Sequence, residues 1–496
     1  MPASMTTAPL SRLRSWLPLL VLLLALGGIL RLIDLTDPPL DFHPSRQLRN
    51  ALVTRDIYYH LLPDADPQTL ALTSSFRRAV GQYEPPVIES LVALTDFFAG
   101  GESYAIPRIW GAIFWLLSGL ALFDLARRAV SPAAALVALA FYLVLPFAVQ
   151  ASRSFQPDPL MTSAFVMGVY FLYRWSEEET WKWAILAAIL LGFAALVKIV
   201  IVFLVIGAAV PLVLWTVGRD FWKSAQVWAM AAIMILPALL YYVFLHSGRS
   251  TEYFFSWSAA LFKLVATTEF YARWLGFLGS LFGLTVLFVS LAGTLLAPAR
   301  LRWLLLGLWV GYLAYGLTLP FQMYTHSYYH IQLIPVVALG LAAVLDPVFE
   351  RVAAQGAVLR IGFVSLVLVV IGYQSWVARS VLIAEDFRHE PAVWAEIGKA
   401  IPQNTEVIGL TQDYGFRLML WGWRKVVQWP LATDLAEIRG TDTGAAARFA
   451  SLTQGQQYFL VTAFGQLDKQ PALKSILAKY PIAAEGDGFV LYDLRK

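Results

Sequence analysis

Asp41, His43 and Arg46 lie close together in the chain, within and just after the run Pro38-Pro39-Leu40-Asp41-Phe42-His43-Pro44, which follows an apolar stretch containing Arg31. A carboxylate, an imidazole and a guanidinium at this spacing suit acid–base work beside an anionic phosphate. Spacing alone leaves a commoner use open, with Asp41 as a solvated loop acid or a cap for a helix starting near Ser45. His326 and His330 stand four apart around Tyr328 and Tyr329. In an α-helix both imidazoles would share a face and help to hold a metal ion or a phosphate; a hydrogen-bonded interfacial pair is the plainer alternative. Asp56 and His60 have the same spacing and read as a solvated helix face. The chain has no cysteine, which excludes disulfides and thiolate metal sites and says nothing of compartment.

The elements that must position these groups are membrane helices. Of 496 residues, 58% are hydrophobic and 14% charged, and mean hydropathy is +0.63, a balance foreign to a water-soluble chain of this size. Many of the 18 Trp, 21 Tyr and 31 Phe sit at the ends of apolar runs, where amphipathic rings favour the headgroup zone. The net charge of +4 comes from basic residues scattered in pairs between apolar runs, with no continuous stripe to bind nucleic acid.

Apolar runs long enough to cross the hydrocarbon core predict about eleven spans, near 14–33, 107–126, 132–150, 159–175, 181–197, 199–217, 223–245, 274–296, 302–320, 328–345 and 359–380. The first is too long for a signal peptide and no A-x-A pattern follows it. Lys198 marks either a junction of two short helices or a break in one. With the N-terminus in the cytoplasm, every inner loop carries a basic pair, including Arg127 with Arg128, Arg174 with Lys182, and Arg300 with Arg302. The C-terminus then lies outside the cell membrane.

The first outer loop, 34–106, is too long for a simple connection. Gln47 to Leu62 and Pro86 to Phe98 place apolar residues at helical spacing beside charges, as interfacial helices do, and predict a cap over the bundle. After Ser380 hydropathy falls. Short β-rich runs at Val407 to Leu410, Gln457 to Thr462 and Phe489 to Leu494 alternate with helical stretches such as Ala472 to Tyr480, so the tail reads as a small α/β domain without a phosphate-binding glycine motif. The expected organisation is a transmembrane domain over 1–380 and an extracytoplasmic α/β domain over 381–496.

Several segments, in order, resemble the GT-C superfamily of membrane glycosyltransferases, in particular the branch of the protein O-mannosyltransferases and the lipid A aminoarabinose transferases. LRLIDLTDPPLDFH resembles the family's first outer acid motif, with Asp41 at the acid. YEPPVIESLVALTDFFAG followed by IPRIWGAIFWLLSGLALFDLARR resembles its Pro-Pro segment, amphipathic helix and Arg-headed second span. RSFQPDPLMTSAF resembles the second outer acid motif, with Asp158 at the acid; GFAALVKIV resembles the Gly-rich helix ending in Lys, here Lys198; THSYYHIQLIP resembles the Tyr-Tyr segment, here Tyr328 and Tyr329. The likeness spans roughly 14–345. Two positions depart from it: Phe42 follows Asp41 where many relatives have Glu, and Glu84 precedes Pro85-Pro86 where the aminoarabinose transferases have Lys.

The resemblance implies a polytopic α-helical enzyme that transfers a hexosyl or pentosyl group from a polyprenyl-phosphate carrier to a lipid, glycan or protein acceptor at the outer membrane face. Asp41 would act as base, with His43, Glu84 and Asp158 as further polar groups of the site. Arg46, Arg153, Lys198, Arg249 and Arg273, with Tyr328 and Tyr329, are the candidates for the donor phosphate, although each cation could equally snorkel to headgroups. Some relatives use a divalent metal ion, for which Glu84, Asp158, His326 and His330 are the candidate ligands. A transporter of a lipid-linked substrate would place ionisable residues or broken helices at mid-membrane, where only Lys198 is a candidate. A non-catalytic glycan-binding relative is the third reading.

Overall fold

A computed structural model describes residues 16–245, 259–432 and 444–495. Its backbone contacts divide the chain into two compact units. The first comprises Met1–Leu35, Tyr83–Val87 and Pro107–Ala384; the second comprises Thr36–Gln82, Ile88–Ile106 and Glu385–Lys496.

The first unit is a helical bundle, and the chain is a multi-pass membrane protein. Among the described residues, six helices are long and apolar enough to cross a membrane, or eight if two bent pairs each count as one span. The six are Ala105–Ala129, Ile199–Lys223, Ala225–Leu245, Ala299–Thr318, Ser327–Ala353 and Ala357–Leu382. The bent pairs are Pro132–Val144 with Pro146–Arg153, at 60°, and Thr268–Phe282 with Leu284–Leu296, at 93°. The other expected crossings fall on the shorter apolar helices Leu17–Arg31 and Trp181–Val197 and on Pro157–Glu178, most of which is buried. By length and apolarity, eight of the eleven expected spans qualify among the described residues when each bent pair counts as one.

Proline accounts for the first bend. Pro146 has no N–H for the carbonyl of Tyr142, so an orphan acceptor is left inside the bundle. Trp115 Nε1 fills that role, donating to Tyr142 O at 3.0 Å while its ring stacks on the Tyr142 ring at 4.3 Å. The next carbonyl, Leu143 O, accepts from the guanidinium of Arg31 at 3.0 Å. Close helix approach elsewhere depends on glycine: a methyl group on Gly207 would overlap the carbonyl of Gly307, and the reverse also holds.

Lys198 separates two helices. Trp181–Val197 ends there, Lys198 is extended with φ −154° and ψ 112°, and a 3₁₀ turn, Ile199–Ile201, leads into Val202–Val217.

The second unit is built on a five-stranded sheet with order β2-β1-β3-β5-β4, where β1 is Val407–Leu410, β2 Val427–Gln428, β3 Tyr458–Val461, β4 Ile482–Gly486 and β5 Phe489–Asp493. β1 pairs parallel with β2 and β3, and β5 runs antiparallel to β3 and β4. Alternation along β3 feeds two cores. Tyr458 and Leu460 join a cluster with Leu48, Leu52, Val53 and Phe76 from the first outer loop, while Phe459 and Val461 join Trp429, Phe449 and Leu473 on the other face. The loop helices Pro44–Leu61 and Pro67–Val80 thus share a core with residues far along the chain. The tail is the α/β arrangement its β-rich runs predict, with β2 and β4 as short additional strands.

Candidate functional site

In the second unit, the Pro38–Pro39 run ends at Asp41, just before Pro44 opens the helix Pro44–Leu61. His43 caps that helix in a left-handed conformation, φ 48°. Asp41 is half-buried, and its Oδ1 accepts from Nε2 of Gln47 at 3.1 Å. Gln47 is wholly buried and donates from the same nitrogen to the carbonyl of Phe42 at 2.8 Å, so one amide fixes both the Asp41 carboxylate and the turn carrying it. Arg46 and His43 are also half-buried on this first turn. The neighbouring acid Asp37 has a different use: it is buried, and its Oδ1 accepts from the backbone N–H of Phe387 at 2.9 Å.

Behind this turn the unit is held by Arg55, whose Nε and Nη2 donate to Glu102 at 2.8 and 2.7 Å and whose Nη1 donates to the carbonyl of Leu420. The guanidinium also lies 4.6 Å from the Trp423 ring centre. Trp421 Nε1 donates to the Tyr104 hydroxyl at 2.7 Å. Asp96, buried on the helix Val87–Ala99, is pushed up to about 7, first by burial and then by the negative charge of Glu102. Asp56 is buried as well, bonded to Ser74 at 2.8 Å and Arg77 at 3.1 Å, so the solvated helix face expected for Asp56 and His60 is corrected for the acid. His60 is half-exposed and lies 3.4 Å from it.

In the first unit, Lys198 Nζ lies 2.8 and 2.9 Å from the two carboxylate oxygens of Asp158, and both residues are buried. Two features of the fold make this pair. Asp158 is in the first turn of Pro157–Glu178, where the helix dipole favours an anion. Lys198 sits at the helix break described above. Its ammonium also lies 4.7 Å from the Tyr328 ring centre and 5.0 Å from that of Tyr329, and Tyr329 stacks on Tyr315 at 6.0 Å.

Arg153 is buried and donates to the carbonyls of Ile33 and, at 2.8 Å, Asp34. Arg108 donates to the carbonyls of Asp34 and Leu35 at 3.1 and 2.8 Å, and Arg31 Nε donates to Ser152 Oγ at 2.7 Å. Two buried guanidiniums, those of Arg153 and Arg108, thus supply donors where the first helix unwinds into a turn, with Asp34 itself at φ 53°, and Arg31 ties the helix end to Ser152. Gly111 makes room, since a methyl group there would overlap the Ser152 carbonyl. Of the other donor-phosphate candidates, Arg273 is exposed, ion-paired with Glu269 and 5.5 Å from the Tyr324 ring centre. Arg249 lies outside the described residues. Glu84 is half-buried and close enough to Tyr242 to act on it electrostatically.

The metal-ligand set is not assembled: among the described residues, no three His, Asp or Glu side chains come together as ligands. The physical reason is the backbone: His326 is extended, with φ −131° and ψ 103°, and the segment after it, Ser327–Leu333, is a 3₁₀ helix, so the α-helical spacing that would bring both imidazoles to one face is absent. His330 is fully buried, with Nδ1 2.6 Å from the Tyr312 hydroxyl and Nε2 3.0 Å from the Met323 carbonyl. His326 has its Nδ1 2.6 Å from Thr325 Oγ1.

Comparison with known proteins agrees with this architecture. Residues 83–244, which include Glu84, Arg153, Asp158 and Lys198, match the dolichyl-phosphate-mannose-protein mannosyltransferase family model. A lipid A galacturonosyltransferase of Rhizobium johnstonii is 25% identical over 205 residues, covering 40% of this chain and 43% of that protein. The chain therefore matches under half the length of that curated relative. ArnT from Cupriavidus metallidurans, solved bound to undecaprenyl phosphate, superposes with a TM-score of 0.60 and 15% identity over 96% of this chain and 97% of ArnT. The archaeal oligosaccharyltransferase AglB from Archaeoglobus fulgidus, in complex with an inhibitory peptide and a dolichol-phosphate, gives 0.55 and 14% over 91% and 70% of the two chains. All are GT-C glycosyltransferases.

Proposed function

The chain has the GT-C fold, and we propose that it is an inverting glycosyltransferase that moves a sugar from a polyprenyl-phosphate carrier to an acceptor at the outer face of the cell membrane, with its N-terminus in the cytoplasm and residues 381–496 outside. The observation that carries this reading is Asp41, a half-buried carboxylate whose orientation is fixed by the buried amide of Gln47. Asp41 takes the proton of the acceptor hydroxyl or amine while that oxygen or nitrogen bonds to the anomeric carbon. The bond from that carbon to the carrier phosphate breaks in the same step and leaves its electron pair on the phosphate. A single displacement inverts the anomeric configuration. The departing phosphate needs neighbouring positive charge more than a proton. Lys198, steadied by Asp158 beside Tyr328 and Tyr329, is the cation we assign to it.

The test uses purified full-length protein with polyprenyl-phosphate-linked pentoses, hexoses and hexuronic acids. Lipid A and peptide serve as acceptors, since the similar proteins include a lipid A galacturonosyltransferase and a peptide-bound oligosaccharyltransferase. One donor should give a product of inverted anomeric configuration. Asp41→Asn should slow transfer by about 10²–10⁴-fold with donor binding kept. Full-rate transfer by a folded Asp41→Asn variant would overturn the assignment of the base.

A further inference from the structure

Three guanidiniums from three helices surround one carboxylate at an end of the bundle. Glu177, in the last turn of Pro157–Glu178, lies 3.1 Å from Arg174, 3.6 Å from Arg128 in the last turn of Ala105–Ala129, and 3.8 Å from Arg300 at the start of Ala299–Thr318. With Asp124 and Glu178, these ion pairs set three carboxylates against four guanidiniums, Arg127 included, so one positive charge is left over among them. Asp124 is shared by Arg127 and Arg128, and Glu178 pairs with Arg174, so Arg300 has no carboxylate closer than Glu177 among the described ion pairs. Its Nε is enclosed and donates to no acceptor among the described residues. The contacts of Arg128 and Arg300 to Glu177, one to each carboxylate oxygen, are both longer than a hydrogen bond, so guanidiniums on two helices face this carboxylate without bonding to it.

The backbone adds to this field. Arg300 stands at a helix N-terminus, where the dipole opposes a cation and favours an anion, and a second N-terminus, that of Trp181–Val197, begins just after Glu178. Tyr173 lies 5.6 Å from the Arg300 guanidinium, and Trp183, 4.5 Å from that of Arg174, donates from Nε1 to Glu178 at 2.7 Å. These helices run on into exposed apolar side chains, Trp181 and Ile185 on one and Trp303 and Leu306 on another. Acyl chains would lie along such surfaces while a headgroup met the charges.

We propose that Arg128, Arg174 and Arg300 form a binding site for the phosphodiester headgroup of an anionic glycerophospholipid, with one phosphate oxygen bridging Arg128 and Arg300 beside Glu177. Guanidinium forks suit this geometry better than ammonium groups. The site is independent of the transfer reaction and of the residues assigned to it.

The experiment uses the full-length protein in phosphatidylcholine nanodiscs with or without a minor fraction of phosphatidylglycerol, and in neutral detergent for native mass spectrometry. The wild type should retain phosphatidylglycerol over phosphatidylcholine and unfold at a higher temperature when it is present. Arg128→Gln/Arg300→Gln should bind phosphatidylglycerol about tenfold more weakly and lose the thermal shift. Arg300→Lys, which keeps the charge without the fork, should fall between them. Equal retention of the two lipids by the wild type would overturn the proposal without reference to any variant. So would an undiminished shift in the folded double variant, or a shift of the same size from inorganic phosphate alone, which would make this a site for a free anion.

Discussion

The ammonium of Lys198 sits within 2.9 Å of both carboxylate oxygens of Asp158, so an ion pair inside the helical bundle joins a helix break to a helix N-terminus. A buried pair of this kind contributes little net stability over apolar packing, yet is costly to break on one side. Lys198→Met should therefore destabilise the protein by about 3–5 kcal/mol, because it strands the Asp158 charge. Lys198→Met/Asp158→Leu should regain most of that loss and still fail to transfer sugar. Thermal unfolding in detergent, with transfer measured on the same samples, checks both halves. A double variant no more stable than the single one would show that the cost lies in packing.

Gln47 has the second expected effect. Its amide is buried and holds the Asp41 oxygen at 3.1 Å, so Gln47→Leu should lower kcat by about tenfold, the worth of one oriented hydrogen bond, with donor KM unchanged. Gln47→Glu keeps the size but replaces the donor by a second carboxylate, so it should lose at least as much. A change in KM alone would assign Gln47 to binding.

Asp96 makes stability pH-dependent with a defined sign. Its carboxyl, pushed up to about 7 in the folded protein, titrates near 3.9 in an unfolded chain. Between those values the native state holds the extra proton, so this group's contribution falls as pH rises from about 4 to about 7 and is level above that. Asp96→Asn should flatten this slope, raising the unfolding midpoint at pH 8 while leaving it nearly unchanged at pH 4. Parallel curves for wild type and variant would remove Asp96 from the account.

Arg55 ties segments that are far apart in sequence. Arg55→Met loses the bidentate pair with Glu102 and the bond to the Leu420 carbonyl, so deuterium uptake should rise at both 99–106 and 418–422. Increased exchange at the first segment alone would mean that the Leu420 bond carries no load.

Much of this structure could be read from the chain because it follows local rules. Apolar length located the helices, and β-branched and aromatic alternation located β1, β3 and β5. The sequence motifs also singled out Asp158 and Lys198, which the fold brings into contact. Other features depend on partners that no local pattern announces. Nothing around Arg153 distinguishes a guanidinium facing the carbonyls of Ile33 and Asp34 from one facing solvent. Gln47 opens an amphipathic stretch, and nothing in its sequence neighbours marks its amide as buried against the Asp41 carboxylate. The four-residue spacing of His326 and His330 presumes an α-helix, whereas His326 is extended and a 3₁₀ segment follows it, for which an α-helical period is the wrong ruler. β2, two residues long, and β4, largely exposed, lack the hydrophobic signature that marks a central strand.

The shared core of Leu48, Leu52 and Phe76 with Val407, Tyr458 and Leu491 also has a consequence for biosynthesis. At about 5–20 residues per second, the loop helices emerge tens of seconds before the sheet that covers them has been made. During that interval their apolar faces need a chaperone or the membrane surface for shelter, and the nascent chain is at its most exposed to proteases.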